Sequence, residues 1–331
     1  MPFITTFLHS QLLVTLPYPT TLFTGQTIIV TGGNSGLGLE AARHFIRLDA
    51  AKVILSVRSV SKGKTAAADI STSTNTPTSR IEVWPLDLAS HDSIKQFAAR
   101  VSRTERLDAV VMNAGILTSK YELVGEEEST IAINVINTSL LGLMVLPKLR
   151  ESAKTFGARG RLVFVGSDLQ LVAKFTEQNV LGKRILEALR EKETANMGDR
   201  YNTSKLLLLY AVRSIAARSP VSSDSNVIIN YLTPGACKSD LFRDEASWIS
   251  RMAMGAAVAL VARTTEVGSR TYLDAARPDV SADTHGKFLM DCKIWPNGEN
   301  VDSEHGQKLQ ERFVSELFAK LEGIQPGVTS I

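Results

Sequence analysis

Short apolar runs alternate with stretches of helical period along most of this chain. Residues 26–31 (QTIIVT), 52–57 (KVILSV), 81–86 (IEVWPL), 107–112 (LDAVVM), 161–166 (RLVFVG), 226–232 (NVIINYL) and 286–290 (GKFLM) are β-branched and apolar with little polar alternation. A run of that kind predicts a strand buried on both faces. Between the runs, apolar residues return every three or four positions, first as Leu39, Ala42, Phe45, Ile46 and Leu48, then over 64–70, 90–101, 126–149, 201–217 and 265–276. Such spacing predicts helices, and Ser90 with Asp92 behind it reads as an N-cap. The polar stretch 71–79 reads as a loop. Strand and helix in alternation imply parallel strands joined by right-handed crossovers, with helices on both faces. The expectation is an α/β, three-layer αβα domain around a doubly wound parallel sheet of about seven strands.

In such a sheet, ligands bind outside the carboxyl ends of the strands. The first strand is followed by Gly32-Gly33-Asn34-Ser35-Gly36-Leu37-Gly38 and then a helix. Strand, glycine turn and helix N-terminus are the context a pyrophosphate needs, since close backbone approach and unpaired N–H groups coincide there. The GxxxGxG spacing points to a variant of the Rossmann-type dinucleotide fold. The second strand ends at Arg58, with Lys62 on the next helix's opening turn. A basic residue there suits a 2′-phosphate, so NADP is expected over NAD. Asp87-Leu88 after the third strand and Asn113-Ala114-Gly115 after the fourth should line the same crevice. Asn134 lies inside a long apolar helix, where its amide either faces solvent or has a specific task. The fifth strand delivers Ser167, and Tyr201 follows 34 positions later with Lys205 four beyond it. Residues four apart share a helix face, so an ammonium at Lys205 is expected to favour the Tyr201 phenolate. Residues 168–199, with a helix-like run over 180–192, read as an insertion folding over the crevice. Pro234-Gly235 turn the chain after the sixth strand, and 240–262, with Leu241, Phe242, Trp248, Met252 and Met254, suits a substrate loop or ordinary core.

Composition narrows the field. A chain of 331 residues and 36.0 kDa, 44% hydrophobic, can bury one large core. Its net charge of +3 is interspersed without a basic run, which argues against nucleic acid. Cys237 and Cys292 are far apart, without zinc or disulfide spacing, and fit a reducing compartment; the five histidines are scattered, and no metal is expected. No run of about 18 apolar residues suggests a transmembrane segment. Residues 1–24 form an N-terminal extension lacking the basic region and cleavage site of a signal peptide. Ile4, Phe7, Leu8 and Leu12 suit a short helix packing on the body, with interfacial membrane contact the lesser reading. Residues 25–331 form the single domain, closed by an amphipathic helix at 303–322 capped by Ser303.

Thr31-Gly32 through Gly36 and Gly38, Asn113-Ala114-Gly115, Ser167, Tyr201 with Lys205, and Pro234-Gly235 occur in the order and at the strand ends seen in the classical short-chain dehydrogenases/reductases, which the chain resembles over about 25–290. Within that family it looks most like the retinol-dehydrogenase and carbonyl-reductase group, especially reductases of fungal natural-product pathways. The resemblance implies that Tyr201 exchanges a proton with the reacting oxygen and that Lys205 lowers its pKa and binds the nicotinamide ribose. Ser167 would hydrogen-bond that oxygen, and Asn134 would hold a relay water. Asp87 and Leu88 would meet adenine, Asn113 to Gly115 the adenosine ribose, and Pro234, Gly235 and Ser239 the carboxamide end. Ser239 stands where the family often has Thr. A cytoplasmic NADP(H) enzyme reducing a lipophilic ketone or aldehyde in secondary-metabolite biosynthesis is therefore expected, a monomer in preference to a homodimer. Alcohol oxidation or epimerisation with the same residues is the alternative. A non-catalytic NADP-binding scaffold or sensor is disfavoured by the complete set of reactive residues.

Overall fold

In the computed structural model, residues 3–223, 225–238 and 261–331 are described. Seven strands run parallel: β1 (Thr27–Thr31), β2 (Lys52–Val57), β3 (Ile81–Pro85), β4 (Ala109–Met112), β5 (Gly160–Val165), β6 (Val227–Thr233) and β7 (Phe288–Met290). An eighth, β8 (Lys293–Trp295), pairs antiparallel with β7. The order across the sheet is β8-β7-β6-β5-β4-β1-β2-β3. The direction of winding reverses between β1 and β4, and a crevice opens beyond their carboxyl ends.

Burial on both faces explains why β1, β2 and β4 to β7 read as apolar runs, whereas the edge strand β3 is only partly buried. Ile29, Ile54, Val110, Leu162 and Ile229 pack into one core, while Ile28, Val30, Val53, Leu55, Val111 and Val163 pack into the other. The first core is closed by α4 (His91–Val101), α5 (Ser129–Phe156), α6 (Arg200–Arg218) and α8 (Glu304–Ile324). The second is closed by α2 (Gly36–Arg47), α3 (Val60–Thr74) and α7 (Thr265–Ala276). Among the described residues, α5 alone is long and apolar enough to cross a membrane, and it is a buried core helix of this fold.

Several elements depart from the sequence pattern. The antiparallel β8 was not anticipated; the turn into it places Asp291 and Cys292 at positive φ (53° and 60°). Helix α3 runs to Thr74 where a loop was expected, and ends on Asn75 at φ 50°, whose N–H donates to the carbonyls of Ser71 and Thr72. Only Ile185–Leu189 of the 180–192 run is helical. The insertion folds largely away from the crevice: the N–H groups of Ile185 and Leu186 donate to the Glu316 carboxylate of α8, both at 2.9 Å. Of residues 168–199, Asp168 and Leu169 line the crevice. The N-terminal helix α1 (Phe3–Leu13) forms, but Ile4, Leu8 and Leu12 are exposed and its buried residues are Ser10 and Gln11. Ser239 and residues 240–260 of the expected 240–262 substrate loop lie outside the described residues.

Candidate active site

The strand ends surround a cleft of about 640 Å³ that runs from Arg58 and Lys62 at one lip to Pro234 and Gly235. At its centre is the turn between β1 and α2, where Gly32, Asn34, Ser35, Gly36 and Leu37 face the opening. Gly38 lies beneath it. A Cβ there would stand 2.6 Å from the Gly32 carbonyl oxygen and 2.7 Å from Asn113 Nδ2, so the helix and turn meet only because it is glycine. The caps of α3, α4, α7 and α8 each accept a first-turn N–H, whereas Ser35 at the start of α2 makes no such side-chain bond. Those N–H groups and the positive helix end are left to an anion, which fits a dinucleotide pyrophosphate.

Asn113, Ala114 and Gly115 line the cleft and are tied to β1. Asn113 Nδ2 donates to Thr31 O at 2.8 Å, its Oδ1 accepts from the Tyr272 hydroxyl at 2.9 Å, and the Ala114 N–H donates to Thr31 Oγ1 at 2.9 Å. Asp87 and Leu88 stand on the same wall, where Asp87 Oδ1 accepts the Ala89 N–H and Asn137 Nδ2 donates to Leu88 O. Arg58 and Lys62 are exposed.

Ser167, Tyr201 and Lys205 converge on the floor. The Tyr201 phenol and the Ser167 hydroxyl both face the cleft. Burial pushes the phenol's pKa well above the ordinary value, the nearby Asp168 adds to the rise, and the Ser167 hydroxyl opposes it. Lys205 Nζ lies 5.5 Å from the Tyr201 ring centroid and donates to Val165 O at 2.9 Å. Burial lowers that ammonium to about 8. Spacing predicts a lowering of Tyr201 by Lys205; burial acts on the phenol in the opposite direction.

Asn134 is buried behind the floor. Its Oδ1 accepts the Ile116 N–H and its Nδ2 donates to Ile116 O, both at 2.8 Å, with Ser204 Oγ a further partner at 3.2 Å. The amide is thus committed to holding residues 115–116 against α6, and the helix around it widens to a π-turn over Ala132–Asn137. π-turns inside helices concentrate at functional sites.

Two residues carry weight that sequence reading missed. Tyr231 of β6 is fully buried; its hydroxyl accepts the Ser167 N–H at 3.0 Å and donates to Lys205 O at 3.0 Å, linking strand and helix under the reactive pair. Asp168 is also buried, with Oδ1 near the hydroxyls of Ser167 and Thr233, both at 3.4 Å, and burial raises its pKa. The adjacency of Asp168 to Ser167 was the available signal. Nothing local marks Tyr231.

Fold and site together define a Rossmann-type α/β oxidoreductase. The short chain dehydrogenase family profile matches residues 26–178. The chain is 42% identical over 330 residues to the short chain dehydrogenase/reductase dmxR8 of Cryptosporiopsis sp. (strain 8999), covering 98% of this chain and 99% of that one. It is 46% identical over 278 residues to the short chain dehydrogenase atnD of Emericella nidulans, covering 83% and 87%. Among solved structures, a short chain dehydrogenase of Escherichia coli CFT073 complexed with NADPH superposes with a TM-score of 0.60 at 24% identity, covering 83% of this chain and 99% of that one. This chain belongs to the short-chain dehydrogenase/reductase family.

Proposed function

We propose that the protein reduces a ketone or aldehyde on a lipophilic small molecule, with NADPH as hydride source. The observation that carries this is the floor of the cleft, where a phenol, a serine hydroxyl and an ammonium converge at the far end from two exposed cations. When bound, the nicotinamide supplies hydride to the carbonyl carbon. Ser167 donates to the carbonyl oxygen, and Tyr201 gives it a proton as negative charge develops. Lys205 stabilises the phenolate left behind. Asn134 acts as a positioning residue for the wall at 115–116.

Arg58 and Lys62 suit the 2′-phosphate of NADP, and the α2 N-terminus the pyrophosphate. Asp87, Leu88 and Asn113 to Gly115 would flank the adenosine half, and Pro234, Gly235 and Ser239 the carboxamide. Leu37, Ile116, Ile133 and Leu169 give the cleft apolar wall for a lipophilic substrate. With NADPH as the hydride source the direction is reduction, and Tyr201 is the proton donor. The two free cysteines support cytoplasmic work, the cover that the insertion and α8 give to α6 supports a monomer, and kinship with fungal reductases supports secondary metabolism. The test is NADPH oxidation against a panel of lipophilic carbonyls, with Tyr201→Phe beside the wild type. Turnover should vanish in the variant while NADPH still binds; a near-full rate would remove Tyr201 from the chemistry.

A further inference from the structure

Helix α1 is docked by polar groups and leaves its apolar ones in water. Ile4 is 69% and Leu12 57% exposed, while Ser10 is 3% and Gln11 8% exposed. Ser10 Oγ donates to Asp291 Oδ1 at 2.8 Å, in the turn between β7 and β8. Arg263, itself buried, donates to Ser10 O at 2.7 Å, to Asp291 Oδ1 at 2.7 Å and to Pro234 O at 3.2 Å. With the Gln11 amide oriented to satisfy both groups, its oxygen accepts the Ala236 N–H and its nitrogen donates to the Ala236 carbonyl, both at 3.1 Å. Arg263 also pairs by backbone with the same segment: its N–H donates to Ala236 O and its carbonyl accepts from the Lys238 N–H, both at 2.9 Å. Between these two holds lies Gly235, at φ +74°, where any Cβ would run into the Gln11 amide. One turn back along α1, Phe7 reaches the cleft wall.

A buried guanidinium and carboxylate are costly to desolvate and are retained only where their remaining donors and acceptors find partners. Here the partners are the carbonyl and hydroxyl of Ser10 on one side and the Pro234 carbonyl on the other. The segment after β6 is irregular, so its backbone has no ladder beyond this to fix it.

We infer that α1 is a positioning element of the active site: Ser10 and Gln11, through the Arg263–Asp291 pair and Ala236, hold Pro234–Ala236 in the geometry that receives the nicotinamide end of the cofactor. The inference rests on the assignment of Pro234 and Gly235 to that end. Ser10, Gln11, Arg263 and Asp291 touch neither substrate nor cofactor; they act on the segment that does.

The test uses the full chain and two ligands, NADPH and adenosine 2′,5′-bisphosphate, which carries the adenine half alone. Binding is measured by calorimetry to wild type, Gln11→Ala, Ser10→Ala and Arg263→Lys, each checked by thermal melting. Gln11→Ala should weaken NADPH roughly tenfold, since two buried backbone bonds are lost, and leave the bisphosphate unchanged. Ser10→Ala should act in the same direction. Arg263→Lys, which keeps the charge beside Asp291, should fall between them and wild type. Equal weakening of both ligands would reveal general loosening and overturn the inference, as would unchanged binding of both. A wild type that binds NADPH no more tightly than the bisphosphate would overturn the assignment of Pro234 and Gly235 itself. A wild-type preference for NADPH that survives Gln11→Ala and Ser10→Ala would overturn the latch alone.

Discussion

Tyr231→Phe removes one oxygen atom that lies outside the cleft and still bears on its chemistry. The hydroxyl is the partner of the Ser167 N–H and of the Lys205 carbonyl, both at 3.0 Å, and the ring occupies the space where Gly166 has no Cβ. The Lys205 carbonyl lies inside α6 and keeps its helical bond, so the exposed loss is the Ser167 N–H. A buried donor left without a partner costs about 1–3 kcal/mol, and that is the expected fall in unfolding free energy. Gly166→Ala should cost more. Its Cβ would sit inside the Tyr231 ring, and displacing the ring adds an overpacking cost of about 1–3 kcal/mol to the same broken bonds. The double variant should fall short of the sum by about 1–3 kcal/mol, because the hydroxyl is lost once. Urea unfolding of the four proteins measures all three quantities. Turnover should fall about 100-fold in Tyr231→Phe if Ser167 or Lys205 shifts by about 1 Å. A Tyr231→Phe protein within about 0.5 kcal/mol of wild type and equally active would refute the reasoning, as would a freely tolerated Gly166→Ala.

Arg58→Asp should weaken NADPH at least about tenfold and leave NADH unchanged or improved, since an exposed guanidinium facing a phosphate is replaced by a carboxylate; comparing Kd for the two cofactors checks it. Carbonyl reduction should lose rate above about pH 8, where the buried Lys205 ammonium gives up its proton, while Tyr201 remains protonated; kcat/KM that is flat to pH 10 would contradict this. Arg200 is fully buried between Glu177 at 3.1 Å and Glu128 at 3.5 Å, so Arg200→Ala leaves two buried carboxylates without their cation and should cost about 3–5 kcal/mol in urea unfolding. Lys308→Ala, which breaks an exposed pair with Glu304, should leave the unfolding midpoint unmoved.

The central strands were legible because both-face burial makes each one a short apolar run bounded by turn residues and alternating with helical spacing, a signal that the mostly exposed β8 lacks. The cleft residues followed from topology, since parallel strands deliver their terminal residues to one edge: Gly32, Asn113, Ser167 and Pro234 reach the cleft for that single reason. The burial of Tyr201 was not legible, because spacing brings Lys205 near the phenol but says nothing of desolvation, the largest influence on its pKa. Tyr231 reads as one more core aromatic, because its task depends on a missing Cβ 65 residues earlier in the chain, at Gly166.

Helix α1 shows where periodicity stops being informative. Phe3, Ile4, Phe7, Leu8, Leu12 and Leu13 spread around most of its circumference, and no charged residue occurs before Glu40. A helix apolar nearly all round has no hydrophobic face to point inward, so apolar spacing cannot choose its orientation. The choice falls to hydrogen bonding, and the groups that require it, Arg263 and Asp291, lie 253 and 281 residues away. The Ser10 carbonyl and hydroxyl both bond to that buried pair, so the polar residues Ser10 and Gln11 face inward and Ile4 and Leu12 are left exposed. A local pattern can reveal such a helix, but its seat is set by an ion pair that exists only once β6 and β7 have formed.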